Sequence, residues 1–101
     1  MSADSVERVV AVVVSYNREG LLEEVLSALA AQTRPADAVV VVDNASTDAA
    51  LEVARRHVPE DSIRALRTNT GGAGGFAVGI AEAIRTHGAD WVWVMDDDTV
   101  P

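Results

Sequence analysis

Three consecutive carboxylates, Asp96, Asp97 and Asp98, follow directly on five apolar residues, Trp91-Val92-Trp93-Val94-Met95. Adjacent carboxylates repel one another, so the cluster calls for a compensating charge. Hard divalent cations such as Mg²⁺ and Mn²⁺ prefer oxygen ligands and are the natural candidates. An unbroken apolar run predicts a parallel strand covered on both faces. Its carboxyl end would deliver the acids to the edge of the sheet, where open α/β folds bind ligands. The plain alternative is a solvated acidic turn after a buried strand.

A second chemical feature is the stretch Asn69-Thr70-Gly71-Gly72-Ala73-Gly74-Gly75. Glycines let a backbone approach a phosphate closely, and a helix N-terminus presents free N–H groups to it. No Gly-Lys-Ser/Thr occurs, so a triphosphate P-loop is excluded. Gly72-x-Gly74-x-x-Ala77 does fit the dinucleotide fingerprint between a strand and a helix. That fingerprint normally sits tight against its strand and needs one acid on the ribose, not three. A glycine-rich turn with close helix packing is the purely structural reading.

Elsewhere, Tyr16 offers a ring face or a hydroxyl, and Asn17 both donors and acceptors. Asp43 is suited to a base N–H or a ribose hydroxyl, or equally to a turn beside Asn44. Ser46 and Asp48 read as helix caps, with Thr47 between them. His57 and His87 fall at helix ends, where the macrodipole favours them, and neither is assigned a site role.

These residues need elements to position them. Arg8 to Ser15 is valine-rich and reads as a first buried strand. Leu21, Leu22, Val25, Leu26 and Leu29 recur at helical spacing over about Glu19 to Ala31. Asn17 is a candidate cap, and Arg34-Pro35 closes the helix. Ala38 to Val42 is a second apolar strand, followed by a helix from the Ser46-Thr47-Asp48 signature to about His57. A break at Pro59 to Asp61 precedes a shorter strand, Ile63 to Arg67. The glycine stretch is read as a loop, followed by a helix expected to bury Phe76, Ile80 and Ile84 and to stop at Gly88. The order is βαβαβαβ, which predicts an α/β parallel sheet with right-handed crossovers and helices on both faces. With the first strand between the second and fourth, Ser15-Tyr16-Asn17 and Asp96 to Asp98 would flank one crevice.

Composition narrows the classes. The 101 residues suit one domain, and an apolar fraction of 49% supports a core. Absence of cysteine removes disulfides and thiolate sites. A net charge of −8, with basic residues that are all arginine and scattered, argues against a nucleic-acid surface. The apolar runs are too short to span a bilayer, and no signal peptide opens the chain. The expectation is a cytoplasmic domain, with a place at the inner face of the cell membrane left to sequence outside it.

Five segments together carry a resemblance: Val12-Val13-Val14-Ser15-Tyr16-Asn17-Arg18, Gln32-Thr33-Arg34-Pro35, Val42-Asp43-Asn44-Ala45-Ser46-Thr47-Asp48, Asn69 to Gly75, and Met95-Asp96-Asp97-Asp98. In this order they resemble the nucleotide-binding half of family-two inverting glycosyltransferases, which have the Rossmann-like GT-A fold. The glycine stretch and the Trp-Val-Trp-Val-Met-Asp-Asp-Asp ending look most like bacterial galactofuranosyltransferases, with rhamnosyltransferases close behind. The resemblance implies a UDP-sugar donor, UDP-galactofuranose among the candidates, a divalent Mn²⁺ or Mg²⁺, and a role in cell-envelope polysaccharide synthesis. It implies that Tyr16 and Asp43 hold uracil and ribose, with Ser15 and Asn17 shaping that pocket. Asn69, Gly71 and Gly72 would border the nucleotide and donor sugar. Asp96 and Asp98 match the Asp-x-Asp motif, Asp98 as metal ligand and Asp96 for ribose, sugar or metal, with Asp97 on the same side of the donor. The catalytic base and the glycan or lipid-linked acceptor would belong to sequence beyond Pro101. Residues 1–101 are therefore expected to be the sugar-nucleotide-binding subdomain of a longer enzyme, inactive in transfer alone. A stand-alone sugar-nucleotide-binding module is the reading from another class.

Overall fold

The computed structural model describes residues 7–17, 19–32 and 36–96. Four strands form one wholly parallel sheet: β1 (Val9–Ser15), β2 (Ala38–Asp43), β3 (Ile63–Ala65) and β4 (Trp91–Asp96). Three helices connect them, α1 (Glu19–Ala30), α2 (Ala50–His57) and α3 (Gly71–Arg85), with a short 3₁₀ turn at Glu60–Ser62. The strand order is β3-β2-β1-β4. The order in which strands are added therefore reverses at β1, and the switch point falls between β1 and β4, as expected from the sequence.

Alternation along β1 divides the core in two. Ala11 and Val13 face α1 and α2 and pack with Leu22, Val25, Leu26, Leu29, Val41, Val53 and Met95. Val10, Val12 and Val14 face α3 together with Val40 and Val42. On the first face, large helical side chains fill the space against the sheet. A hydrogen bond from His57 Nε2 to Glu23 Oε2 (2.6 Å) then ties α2 to α1.

The second face is built the other way round. Gly75, Gly79 and Ala83, one helical turn apart, turn α3's backbone directly onto the valines. A Cβ at Gly79 would lie 2.3 Å from Val12 Cγ1, and one at Gly75 would lie 2.7 Å from Val14 Cγ1. This corrects the expectation for α3, because Ile84 is 54% exposed and Ile80 is only half-buried. The small residues own the contact stripe, and the isoleucines are displaced from its centre.

Three further expectations change. β4 lies at the sheet's edge, as the expected strand order implies, but it is not covered on both faces: Trp91 is 60% exposed, and Trp93 and Val94 are open as well. β3 stops at Ala65 instead of Arg67, for only its first three residues pair with β2. The glycine stretch is the first turn of α3 from Gly71 onward, not a free loop. The Arg34-Pro35 stop and Arg18 lie outside the described residues. No described helix is long and apolar enough to cross a membrane.

Candidate functional site

The sheet has two ends, and acids sit at both. At the amino end, Asp37 Oδ2 accepts from the Val9 N–H (2.7 Å) and Asp90 Oδ2 from the Arg8 N–H (2.8 Å). These carboxylates satisfy donors at the start of β1, one from the turn before β2 and one from the turn before β4. Their role is structural.

The carboxyl end is arranged differently. Register places Ser15 beside Asp43 and Val14 beside Asp96, with β1 between the two acids. Two strand spacings put their backbones roughly 10 Å apart. Asp43 is only 5% exposed, and its Oδ1 is buried without a hydrogen-bond partner among the described residues. A buried polar atom left unpaired costs about 1–3 kcal/mol, so such atoms are rare and ask for a reason. This atom lies at the carboxyl end of the sheet, the end at which open α/β folds bind ligands.

Around Asp43 the loops are stitched to one another. The Asn44 N–H donates to the Ser15 carbonyl and the Leu66 N–H to the Asp43 carbonyl, both at 2.8 Å. Asn17, in the left-handed region at φ 51°, donates its N–H to Ser46 Oγ (2.9 Å). Its Oδ1 accepts from the Thr47 N–H (2.6 Å) and from Thr47 Oγ1 (3.3 Å). Ala45, at φ 65°, turns the facing loop. A non-glycine residue there is strained, and such strain gathers where a loop must hold a set shape.

Several expected roles shift accordingly. Ser46 and Thr47 brace the β1–α1 turn, and Asp48 alone of the three makes the expected local bond, accepting the Ala50 N–H at 2.9 Å. Asn17's side-chain oxygen serves this brace instead of capping α1. Tyr16 is 45% exposed at the rim, and Ser15 is fully buried beneath it. Asn69 Oδ1 accepts the Gly71 N–H (2.7 Å), and Gly71 needs its positive φ of 76°. Both are thus placed at the mouth of α3, together with Gly72 of its first turn.

Asn44 is the residue the sequence reading passed over. It is 3% exposed, and its amide spans 26 residues to reach the start of α3. Its signal in the sequence was faint, since an Asn after a strand reads as an ordinary turn residue.

Of the acidic run, the backbone of Asp96 is placed at the end of β4, across from Val14. Asp97 and Asp98 lie outside the described residues. Among the described residues no three acidic or histidine side chains converge on one point. The donor set that would suit a hard cation is therefore the run itself, three adjacent carboxylates with oxygen ligands only.

Glu23, Glu24 and Glu82 belong to α1 and α3, not to the strand-end crevice. Glu23 is held below the ordinary carboxylate range, first by the hydrogen bond from His57. Glu82 is held down by the Thr86 hydroxyl and then by the Arg64 guanidinium, 2.6 Å away. Both carboxylates are engaged in fastening elements together.

The dinucleotide reading fails on topology. The glycine stretch follows β3, an edge strand, whereas the switch point lies between β1 and β4. The architecture is an open parallel α/β sheet with a polar carboxyl end, and residues 10–101 match Glycosyl transferase family 2. The chain belongs to that family, and its fold is of the GT-A type.

Among its relatives is the galactofuranosyltransferase GlfT1 of Mycolicibacterium smegmatis, 41% identical over 95 residues and 94% of this chain. GlfT1 of Mycobacterium tuberculosis is 43% identical over 94 residues, or 91% of this chain. The chain spans 31% of the length of each. Among solved structures, the mannosyltransferase PcManGT of Pyrobaculum calidifontis, in complex with GDP-Man and Mn²⁺, superposes with a TM-score of 0.76. It shares 30% identity, over 93% of this chain and 28% of that one. TarS of S. aureus gives a TM-score of 0.71 at 29% identity, over 90% of this chain and 16% of that one.

Proposed function

We propose that this chain is the donor-binding part of a metal-dependent inverting glycosyltransferase whose donor is UDP-galactofuranose. The observation that carries the reading is the orphaned Asp43 Oδ1, a buried acceptor at the sheet's carboxyl end with no protein donor among the described residues. A uracil N–H or a ribose hydroxyl supplies such a donor. Tyr16, exposed at the rim, lies against the base, while Ser15 and the braced Asn17 turn shape the pocket wall. Asn69, Gly71 and Gly72 border the diphosphate and the sugar, with the backbone N–H groups of α3's first turn facing them. The galactofuranosyl group is favoured by the two GlfT1 relatives, and a divalent ion by the Mn²⁺ of the mannosyltransferase.

Asp96 and Asp98 would hold Mn²⁺ or Mg²⁺, with Asp97 beside them. When bound, the ion neutralises the diphosphate as it leaves. The protein's own contribution is to grip the nucleoside at Asp43 and to keep the anomeric carbon open to attack from the opposite side. Deprotonation of the acceptor hydroxyl falls to a carboxylate of the acceptor-binding part of the full-length enzyme. That part would also bind the glycan or lipid-linked acceptor, on the cytoplasmic side of the membrane and in cell-envelope polysaccharide synthesis.

Thermal melts test the reading. UDP with Mn²⁺ should raise the melting temperature, by about 2.7 kcal/mol of added stability at a hundred times its dissociation constant. GDP and NAD should not. Stabilisation by NAD without metal would overturn the proposal.

A further inference from the structure

The Asn44 amide makes three hydrogen bonds, all to the two residues where α3 begins. Oδ1 accepts from the Thr70 N–H (2.9 Å) and from Thr70 Oγ1 (3.1 Å), while Nδ2 donates to the Gly71 carbonyl (3.1 Å). The network fixes the amide's orientation, because a backbone N–H needs the oxygen and a carbonyl needs the NH₂. Asn44 directly follows Asp43, and alternation sends the two side chains to different neighbours. Asp43 shares parity with Val41 of the α1/α2 core, whereas Asn44 turns to α3. Gly75 continues the contact, since a Cβ there would meet Val14 and Asn44 Nδ2.

We propose that Asn44 is a positioning residue that sets the first turn of α3 at a defined height above the Asp43 pocket. It thereby couples the grip on the nucleoside to the grip on the diphosphate and sugar. The inference rests on the donor-binding reading above and adds a division of labour to it. Asp43 contacts the nucleoside, and Asn44 touches no ligand. It acts through Thr70 and Gly71, which carry the glycine-rich turn. Because Gly71 sits at positive φ and Ala45 next to Asn44 is also left-handed, neither segment reaches this pose by default backbone preference. A side chain that satisfies one N–H, one hydroxyl and one carbonyl at once is what holds them there.

Asparagine is specific for the task. Aspartate would keep both acceptor bonds to Thr70 but would face the Gly71 carbonyl with a second oxygen. Alanine would remove all three bonds and leave the part-buried Thr70 N–H and Gly71 carbonyl without this partner.

The test uses this chain and two readouts. In the first, uridine and UDP with Mn²⁺ are titrated into the wild type, Asn44→Ala, Asn44→Asp and Asp90→Ala. The last is a comparator that weakens the opposite end of the sheet. Under the proposal both Asn44 variants keep uridine affinity within about twofold and lose about tenfold or more for UDP, the scale of one to two net hydrogen bonds. Asp90→Ala leaves the ratio of the two affinities unchanged. In the second, amide hydrogen exchange without ligand should be faster over residues 70–76 in both Asn44 variants and unchanged there in Asp90→Ala.

An equal loss for uridine and UDP in the Asn44 variants would make the residue merely structural and overturn the proposal. Unchanged exchange over residues 70–76 would do the same. A wild type that binds neither nucleotide overturns the donor reading instead, and the exchange measurement still judges the anchor by itself.

Discussion

The two ends of this sheet carry the same residue type to opposite purposes. At the amino end, Asp37 and Asp90 each take a backbone N–H of β1's first residues. At the carboxyl end, Asp43 is more deeply buried yet leaves one oxygen without a donor among the described residues. A carboxylate used for stability has its bonds filled by the protein. Under the proposed function, the open bond of Asp43 is filled by the ligand, and the fold carries the cost in its absence. Around Asp43 nearly every other polar group is tied down, including Asn17, Asn44, Ser46 and Thr70. The contrast is therefore between one unfilled acceptor and the rigid frame around it.

Several changes would sharpen or break this contrast, beginning with one at neither end. Gly79→Ala places a Cβ against Val12 and Val42 in the middle of the sheet. Overpacking of this kind costs about 1–3 kcal/mol, reduced by up to about 1 kcal/mol from alanine's better helix propensity. Combined with Val12→Ala it should destabilise by less than the sum of the two single changes in denaturant melts. Asp37→Ala and Asp90→Ala should each cost about 1–2 kcal/mol and leave UDP affinity unaltered, since they remove charge-assisted bonds far from the crevice. A loss of UDP affinity in either would break the division between the ends.

Acid should act through the helices. Glu23 and Glu82 are held below the ordinary glutamate value of 4.5 by His57 and by Thr86 with Arg64. A carboxyl lowered in the folded state stabilises above its ordinary value and loses that contribution as pH falls through the folded one. The melting temperature should therefore drop as pH falls below about 4.5, and Glu23→Gln with Glu82→Gln should flatten the drop. The smallest effect is expected at Asp43 itself. Asp43→Asn should change stability by less than about 1 kcal/mol, because the carboxylate oxygen it replaces has no donor to lose among the described residues.

Much of this was legible before any coordinates. The seven main elements fall where apolar runs and helical spacing put them, within about two residues at most ends. The parallel sheet follows from their alternation. Position beyond that was harder to read. Ile80 and Ile84 outrank Gly79 on any hydrophobic scale, yet a helix packed by its backbone buries the glycine and leaves Ile84 open. Trp91 to Met95 reads as a doubly covered strand because hydropathy records composition and not neighbours, and Trp91, Trp93 and Val94 are open. At the site, Tyr16, Asn17 and Asp43 were readable as strand-end polar residues. Asn44 was not, since its importance comes from Thr70 and Gly71, which are distant in the chain. Ser46 looked like a cap for the same reason, its partner Asn17 being 29 residues away. Long-range hydrogen bonds leave no local pattern to read.

The most direct test of the central claim is a calorimetric titration of UDP into the wild type, Asp43→Asn and Asp90→Ala, each with and without Mn²⁺. The account predicts metal-enhanced binding to the wild type and to Asp90→Ala. For Asp43→Asn it predicts a loss of about tenfold or more whether or not metal is present, a scale of about 1.4 kcal/mol or more. Equal UDP affinity in wild type and Asp43→Asn would contradict it, because the orphaned oxygen would then have no ligand to wait for.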